Sequence, residues 1–430
     1  MHSAFGRSST ARFTAAVALT LSVSPAVLGQ AEDPTLFVGN AFAAPGPFGG
    51  SVSSMRIFED GTLELIHTVS FPESYCVAVD VSPNGRWLLV RVGTAPNIRL
   101  YEVHPDATFS EFNAFNDPGD GALRWLRDDL VAVGSICFTA FCAPVRLYRI
   151  DPERDIWELV TAPLNLFGGP FHAFEFGVHP SREWFTVHDE VGAFALLAVP
   201  TRETPELAAP LATGEGRHAT YSPDGLFLYN VRPLHLDAFE FDAGVITPVT
   251  PDGFPTGTLQ SNAAAVSGDG AFIAVRSLLS HAVCVHDRDA VTGAVGAPIG
   301  CVTPGTAAFG GGIVALDRLI LSTVASPAGD GPSGIVSLSI SPNNELLQNG
   351  PLHGAEPGGV GDVPSFLSLW NPSAARELVG DLNGDGIVDG ADLGILLNAW
   401  GQDGGPADLN RDGVVDGADL GILLAAWGAR

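Results

Sequence analysis

From Asp33 to about Pro372 the chain alternates short apolar runs with Gly, Pro, Asp and Asn punctuation, and no stretch of useful length holds a helical period. Two patterns recur at roughly 45 residues, the spacing of propeller blades. The first is an apolar run, a turn and a second run: CVAVDVSPNGRWLLV (76–90), RHATYSPDGLFLYN (217–230) and SNAAAVSGDGAFIAV (261–275), with weaker copies at 121–134, 174–187 and 307–321. Asn84-Gly85, Asp224-Gly225 and Asp269-Gly270 read as two-residue turns between the strands. The second pattern is one short strand, at 55–60, 98–103, 145–150, 194–199, 236–241, 282–287 and 335–340.

Seven copies of this outer strand and six of the inner hairpin predict a closed ring. TLFVGN (35–40) and SFLSLW (365–370) supply the missing inner pieces from the two ends, sharing one blade and protecting its edges. The predicted fold is therefore all-β, a seven-bladed β-propeller over residues 32–372, with six and eight blades as neighbouring counts. A two-sheet sandwich is the alternative, but regular spacing does not normally persist over so long a stretch. Trp87, Leu88 and Val90, like Phe227, Leu228 and Tyr229, are expected to pack blade against blade.

At residue 380 the period changes. Residues 380–401 and 407–428 read GDLNGDGIVDGADLGILLNAWG and ADLNRDGVVDGADLGILLAAWG, differing at four of 22 positions. Each opens D-x-N-x-D-G-x-x-D-x-x-D, the spacing by which a calcium loop draws oxygen ligands from positions 1, 3, 5, 7, 9 and 12. Those positions are Asp381, Asn383, Asp385, Ile387, Asp389 and Asp392, then Asp408, Asn410, Asp412, Val414, Asp416 and Asp419. Ile387 and Val414 would coordinate through backbone carbonyls, and Gly386 and Gly413 hold the sharp turn. Two Ca2+ ions are the expected cofactors. Leu393, Leu396, Leu397 and Trp400, then Leu420, Leu423, Leu424 and Trp427, follow at the spacing of one helical face, with Gly401 and Gly428 as C-terminal caps. Neither repeat could bury a core alone, so the two are expected to pair with calcium as the staple.

This all-α calcium-binding region, residues 380–430, resembles the type I dockerin domain. Dockerins carry two such units, lack the helix that precedes the loop in an ordinary EF-hand, and use Asp at position 12. The resemblance implies attachment of an exported protein, often a polysaccharide-degrading enzyme, to a cohesin or other surface protein. Loop positions 10 and 11 are Gly390-Ala391 and Gly417-Ala418 where many dockerins hold Ser/Thr, and Leu397-Asn398 and Leu424-Ala425 replace a frequent Lys/Arg, which leaves the partner open. In residues 33–372 the SP-[ND]-G turns followed by L-Y or F-x-F runs look like lactonase-like and surface-layer propeller repeats. That resemblance implies the fold, which lactone hydrolases, dehydrogenases and plain binding propellers share.

The formal net charge is −27 and no lysine is present, which disfavours nucleic acid and anionic membrane as partners. It also removes Schiff-base chemistry and the phosphate-loop lysine. Arg7 and Arg12, the apolar or small run from Phe13 to Leu28, and Gly29 and Ala31 read as a signal peptide (1–31). No later run is long enough to span a bilayer, and 373–379 reads as a linker, so the expected location is secreted or cell-surface. Five cysteines fit an oxidising compartment. Cys137 with Cys142 and Cys284 with Cys301 are candidate pairs, leaving Cys76 as a buried apolar thiol.

Propeller ligands sit near the start of the innermost strands, where this chain places His172, Glu175, Arg217 and His218. These could bind an anionic or hydroxylated ligand, or serve as acid and base. Tyr75, Ser261, Asn262 and Thr306 share the position. The plainer reading makes all of them channel lining in contact with water. His179, His188, His281 and His286 lack metal-ligand spacing, and neither a G-x-S-x-G elbow nor a glycosidase-like carboxylate pair is recognisable. The chain therefore reads as an exported binding or architectural propeller anchored through a calcium-dependent domain. An anchored hydrolase acting on sugar lactones or polysaccharide is the alternative, and a carbohydrate is a candidate ligand.

Overall fold

The computed structural model describes residues 33–370 apart from 41–48, 120, 136–144, 155, 161–172, 174, 190–191, 201–209, 251, 278, 305–311, 325–333 and 354–363. Beyond these it describes 380, 382, 388, 390–402, 407, 409 and 414–427. Strands are numbered β1 to β29 in chain order and form seven antiparallel sheets, each of four strands except one that gains a short fifth. The innermost strands are β4 (Cys76–Val81), β8 (Leu123–Arg127), β12 (Glu175–Val178), β16 (His218–Tyr221), β21 (Ser261–Val266), β25 (Ile313–Leu316) and β29 (Pro364–Trp370). From the first six the chain steps outward strand by strand. By contrast β29 pairs with β1 (Thr35–Asn40), Val38 facing Leu367, and β1 leads on to β2 (Gly50–Ile57) and β3 (Leu63–Phe71). The two ends thus share blade 1, as the split inner pieces predicted, and the first six inner strands named above open blades 2 to 7. This is a seven-bladed β-propeller.

The propeller's core is divided among seven apolar clusters, one at each blade junction. In β5 (Trp87–Val92) Leu88 and Val90 join the cluster with blade 1, whereas Trp87 and Leu89 join the one with blade 3. Both faces of this second strand are therefore covered, and its sequence runs apolar without alternation from Trp87 to Val90, with Arg91 buried against Asp117 (3.0 Å).

The turns within the inner hairpins are longer than the two residues expected. β4 ends at Val81 and β5 begins at Trp87. Ser82 Oγ donates to Asn84 Oδ1 (2.7 Å) and accepts from Trp87 N (2.9 Å), while Arg86 N donates to Asn84 Oδ1 (3.0 Å). Gly85 supplies the positive φ of 69° that closes the turn. Ser222 with Asp224, and Ser267 with Asp269, repeat the same bonds. The polar residues of the motif are thus the turn's own fasteners.

The strands expected to be outermost are the third of four. The true outer strands, such as β7 (Phe109–Phe115), β15 (Ala212–Glu215) and β19 (Val245–Pro248), are largely exposed. An edge strand with little to bury carries no apolar period, and so these went unread. Cys284 and Cys301 face each other on the third and fourth strands of blade 6 and are disulfide-bonded. Burial pushes the Cys76 thiol up to about 12, consistent with an inert core cysteine. Cys137 and Cys142 lie outside the described residues.

Near the C-terminus, helices α1 (Gly390–Asn398) and α2 (Gly417–Ala425) pack through Leu396 and Leu423 around Val388, Ala407 and Val415. Gly401 follows α1 with φ 75°, as its capping role requires, and donates its N–H to Val415 O (2.8 Å). The apolar face is narrower than the sequence suggests. Leu397 and Leu424 are 52% and 51% exposed, and Trp400 and Trp427 are 46% and 48% exposed. Two nine-residue helices share one seam, and a residue next to the seam position turns about 100° away from it.

Candidate functional site

The seven inner strands enclose a central cavity of about 580 Å3. Glu175 opens β12 and His218 opens β16, and both line it, as the sequence proposed. Asp80 of β4 and Arg124 of β8 join them and had not been anticipated. A signal for Asp80 was present: two residues before the turn serine it stands where the other copies have Thr220 and Ala265.

Asp80 ties three inner strands together. Its Oδ2 accepts from Trp125 N (2.7 Å), and its Oδ1 accepts from Ser368 Oγ (2.9 Å) and Arg124 Nη1 (3.1 Å). Burial raises its pKa even against the pull of Arg124. Burial also pushes Glu175 up to about 7, with Arg124 opposing the rise and Asp80 adding to it. His218 falls to about 4 through burial and the charge of Arg124, so its imidazole is neutral at pH 7. Its Nδ1 accepts from Ala264 N (3.4 Å), which assigns the proton to Nε2. The cavity therefore holds a carboxyl group that titrates near neutrality, a neutral imidazole and a guanidinium. Together these can bind an anion or exchange a proton.

Other sequence candidates fall elsewhere. Arg217, Tyr75, Ser261 and Asn262 do not line the cavity. Arg217 Nε is buried without a hydrogen-bond partner, and Ser261 is buried in a hydroxyl cluster with Thr256 and Thr258. His172 and Thr306 lie outside the described residues. Among the described residues no three His, Cys, Asp or Glu side chains group as a metal site. His188 is buried and falls to about 3, and His179 and His286 bond to backbone carbonyls of neighbouring segments, the first to Gly225 O and the second to Gly296 O and Thr256 O.

Of the proposed calcium ligands, Asp392, Val414, Asp416 and Asp419 are described, and Asp381, Asn383, Asp385, Ile387, Asp389, Asp408, Asn410 and Asp412 lie outside the described residues. Asp392 and Asp419, the position-12 residues, are fully buried. Asp392 Oδ1 accepts from Leu382 N, and Asp419 Oδ2 accepts from Asp416 N, each at 2.7 Å. Asp416 in turn accepts from Ala418 N (2.8 Å), and its reciprocal bonds with Asp419 form a capping box on α2. No described residue of this region is cationic. Two buried carboxylates at loop position 12, each accepting from a backbone N–H of its own loop, are oxygen donors of the kind a hard divalent cation takes.

With this geometry in place, the relationships to known proteins are informative at two levels. Residues 379–426 match the family described as the dockerin type I domain. Dockerin domains bind calcium and cohesin partners, and they occur in extracellular or cell-surface assemblies. The propeller is similar to solved structures at the level of the fold. A Bacteroides uniformis protein provisionally named 6-phosphogluconolactonase superposes with a TM-score of 0.58 at 14% identity, over 79% of this chain and 99% of that one. The Pseudomonas aeruginosa periplasmic gluconolactonase gives 0.51 at 19%, over 63% and 82%. A hypothetical selenium-binding protein of Sulfolobus tokodaii gives 0.55 at 10%, over 78% and 93%. No curated protein matches the chain. Among the described residues no helix is long and apolar enough to cross a membrane.

Proposed function

We propose that this chain is an exported propeller that holds a small ligand in its channel and is anchored to a surface or extracellular assembly through residues 380–430. Two calcium ions, held by the loops that begin at Asp381 and Asp408, keep the anchoring domain folded and competent. The observation that carries this is the pair of buried position-12 carboxylates, Asp392 and Asp419, at the starts of packed helices in a region matching the dockerin family. A cohesin or another surface protein is the partner. The test is capture of the full chain on immobilised cohesins and cell-surface extracts, with calcium and with chelator. Capture that needs calcium and is lost in an Asp381→Ala, Asp408→Ala double variant supports anchoring, and capture indifferent to both refutes it.

A second reading, hydrolysis of a sugar lactone in the channel, is favoured by one observation: Glu175, near neutrality, shares the cavity with Arg124 and the neutral His218. Acid release from lactones in a pH-stat, abolished by Glu175→Gln, would establish it. Silence across lactones and soluble polysaccharides leaves the binding reading.

A further inference from the structure

The channel wall is divided by charge. Among the described residues, every charged or titratable side chain lining it comes from blades 2 to 5: Asp80, Arg124, Glu175, Arg182, His218 and Tyr221. Blades 6, 7 and 1 contribute Ala264, Val266, Val314, Leu316 and Leu369. Ser368 is the polar exception on that side, and its hydroxyl is engaged by Asp80 and by Val81 N. Backbone edges of inner strands are common to all seven blades, so the side chains alone set the two arcs apart. Val266, Val314, Leu316 and Leu369 each keep part of their surface open.

The charged arc has unused capacity. Among the described residues Arg124 bonds to Asp80 through Nη1, and 37% of its side-chain surface stays open. On the apolar arc the contact surface is aliphatic. Trp125, Phe176, Tyr221 and Trp370 reach the cavity, but none is more than 7% exposed, so their ring faces are committed to blade packing.

We propose that the channel takes an amphipathic aliphatic carboxylate, with its carboxylate on Arg124 and its hydrocarbon body against the arc of blades 6, 7 and 1. This rests on the reading that the propeller holds a small ligand in its channel. A sugar or sugar acid carries hydroxyls on every side, and against the aliphatic arc they would lose water without gaining side-chain partners. A hydrocarbon body loses nothing there and releases water from four partly open side chains. A guanidinium that stays partly open to the channel is suited to a carboxylate.

Glu175 adds a signature. Burial pushes it up to about 7, and a carboxylate arriving beside it favours the protonated form. Of the groups that face it, His218 stays neutral, and Asp80 is held by three hydrogen bonds, one of them from the Arg124 guanidinium. Binding above pH 7 therefore takes up a proton at Glu175, and affinity falls as pH rises through that range.

Isothermal titration of the full chain with calcium, at pH 7.5, tests this with octanoate, octanol, gluconate and glucose as probes. Octanoate is expected to bind one per chain, at least tenfold tighter than octanol or gluconate. Comparing buffers of different ionisation enthalpy should show net proton uptake. Arg124→Gln should weaken octanoate at least tenfold, and Glu175→Gln should keep binding but abolish the uptake. Gluconate or glucose binding as tightly as octanoate overturns the proposal while leaving a channel ligand in place. Octanol binding equally well overturns the role of Arg124. Heat from none of the four overturns the proposal and removes its support from the channel-binding reading as well.

Discussion

Replacing Asp80 with alanine probes how the ring is held. The carboxylate accepts from Trp125 N on blade 3, from Ser368 Oγ on blade 1 and from Arg124. One side chain on blade 2 thus spans two junctions, one of them beside the blade where the chain ends meet. A hydrogen bond to a charged group contributes roughly 1.5–3 kcal/mol. Two corrections reduce the sum. Arg124 is more than a third exposed, so solvent screens its pairing to about 1 kcal/mol or less. The raised pKa of Asp80 shows that desolvation offsets part of the remainder. What alanine leaves is Trp125 N–H and Ser368 Oγ without that acceptor, a net loss of about 2–4 kcal/mol. With unfolding entropy near 2.1 cal/mol/K per residue over a propeller of about 340 residues, Tm should drop by about 3–6 °C. Calorimetry at pH 7 measures it. Asp80→Asn keeps a neutral acceptor for Trp125 and should lose less than half as much. An alanine variant melting within 1 °C of the parent would refute the staple.

Three other outcomes are expected. Chelator should abolish the helical signal of residues 380–428 and leave the propeller's melting transition unmoved; a single transition blind to chelator contradicts separate modules. Gly85 and Gly270 share φ 69°, but an added Cβ would run into the Trp370 ring in the first, whereas in the second its nearest neighbour is Arg288 Nη1 at 3.2 Å, with Pro223 Cδ at an ordinary 3.8 Å. Gly270→Ala should therefore cost about 1 kcal/mol and Gly85→Ala about twice that or more in urea unfolding, and equal losses would show that space is irrelevant. Glu175 has its folded pKa raised from 4.5 to about 7, so its contribution is intact below pH 4.5 and is lost as pH rises through 7. Glu175→Gln should match the parent at pH 4.5 and exceed it at pH 8.5 by at most about 3 kcal/mol, whereas a difference independent of pH would assign the effect to packing.

Local chemistry was legible in the chain. The calcium loops declare themselves because their ligands lie within twelve residues, and spacing alone sets which oxygens converge. Second strands such as the one opening WLLV were legible because burial on both faces leaves apolar residues side by side without alternation, and the orphan pieces TLFVGN and SFLSLW announced a shared blade. The outer strands were not legible, since a solvated edge has nothing to bury and so no period to betray it. Nor was the solvent exposure of Leu397 and Leu424, which depends on where one helix seam falls against the other. The channel was decided by closure of the ring. Residues 80, 124, 175, 218 and 368 meet there only because seven blades return the chain to its start. Each blade could be inferred from its own residues, but the division of the channel into a charged and an aliphatic arc arises between blades, where sequence distance carries no information about contact.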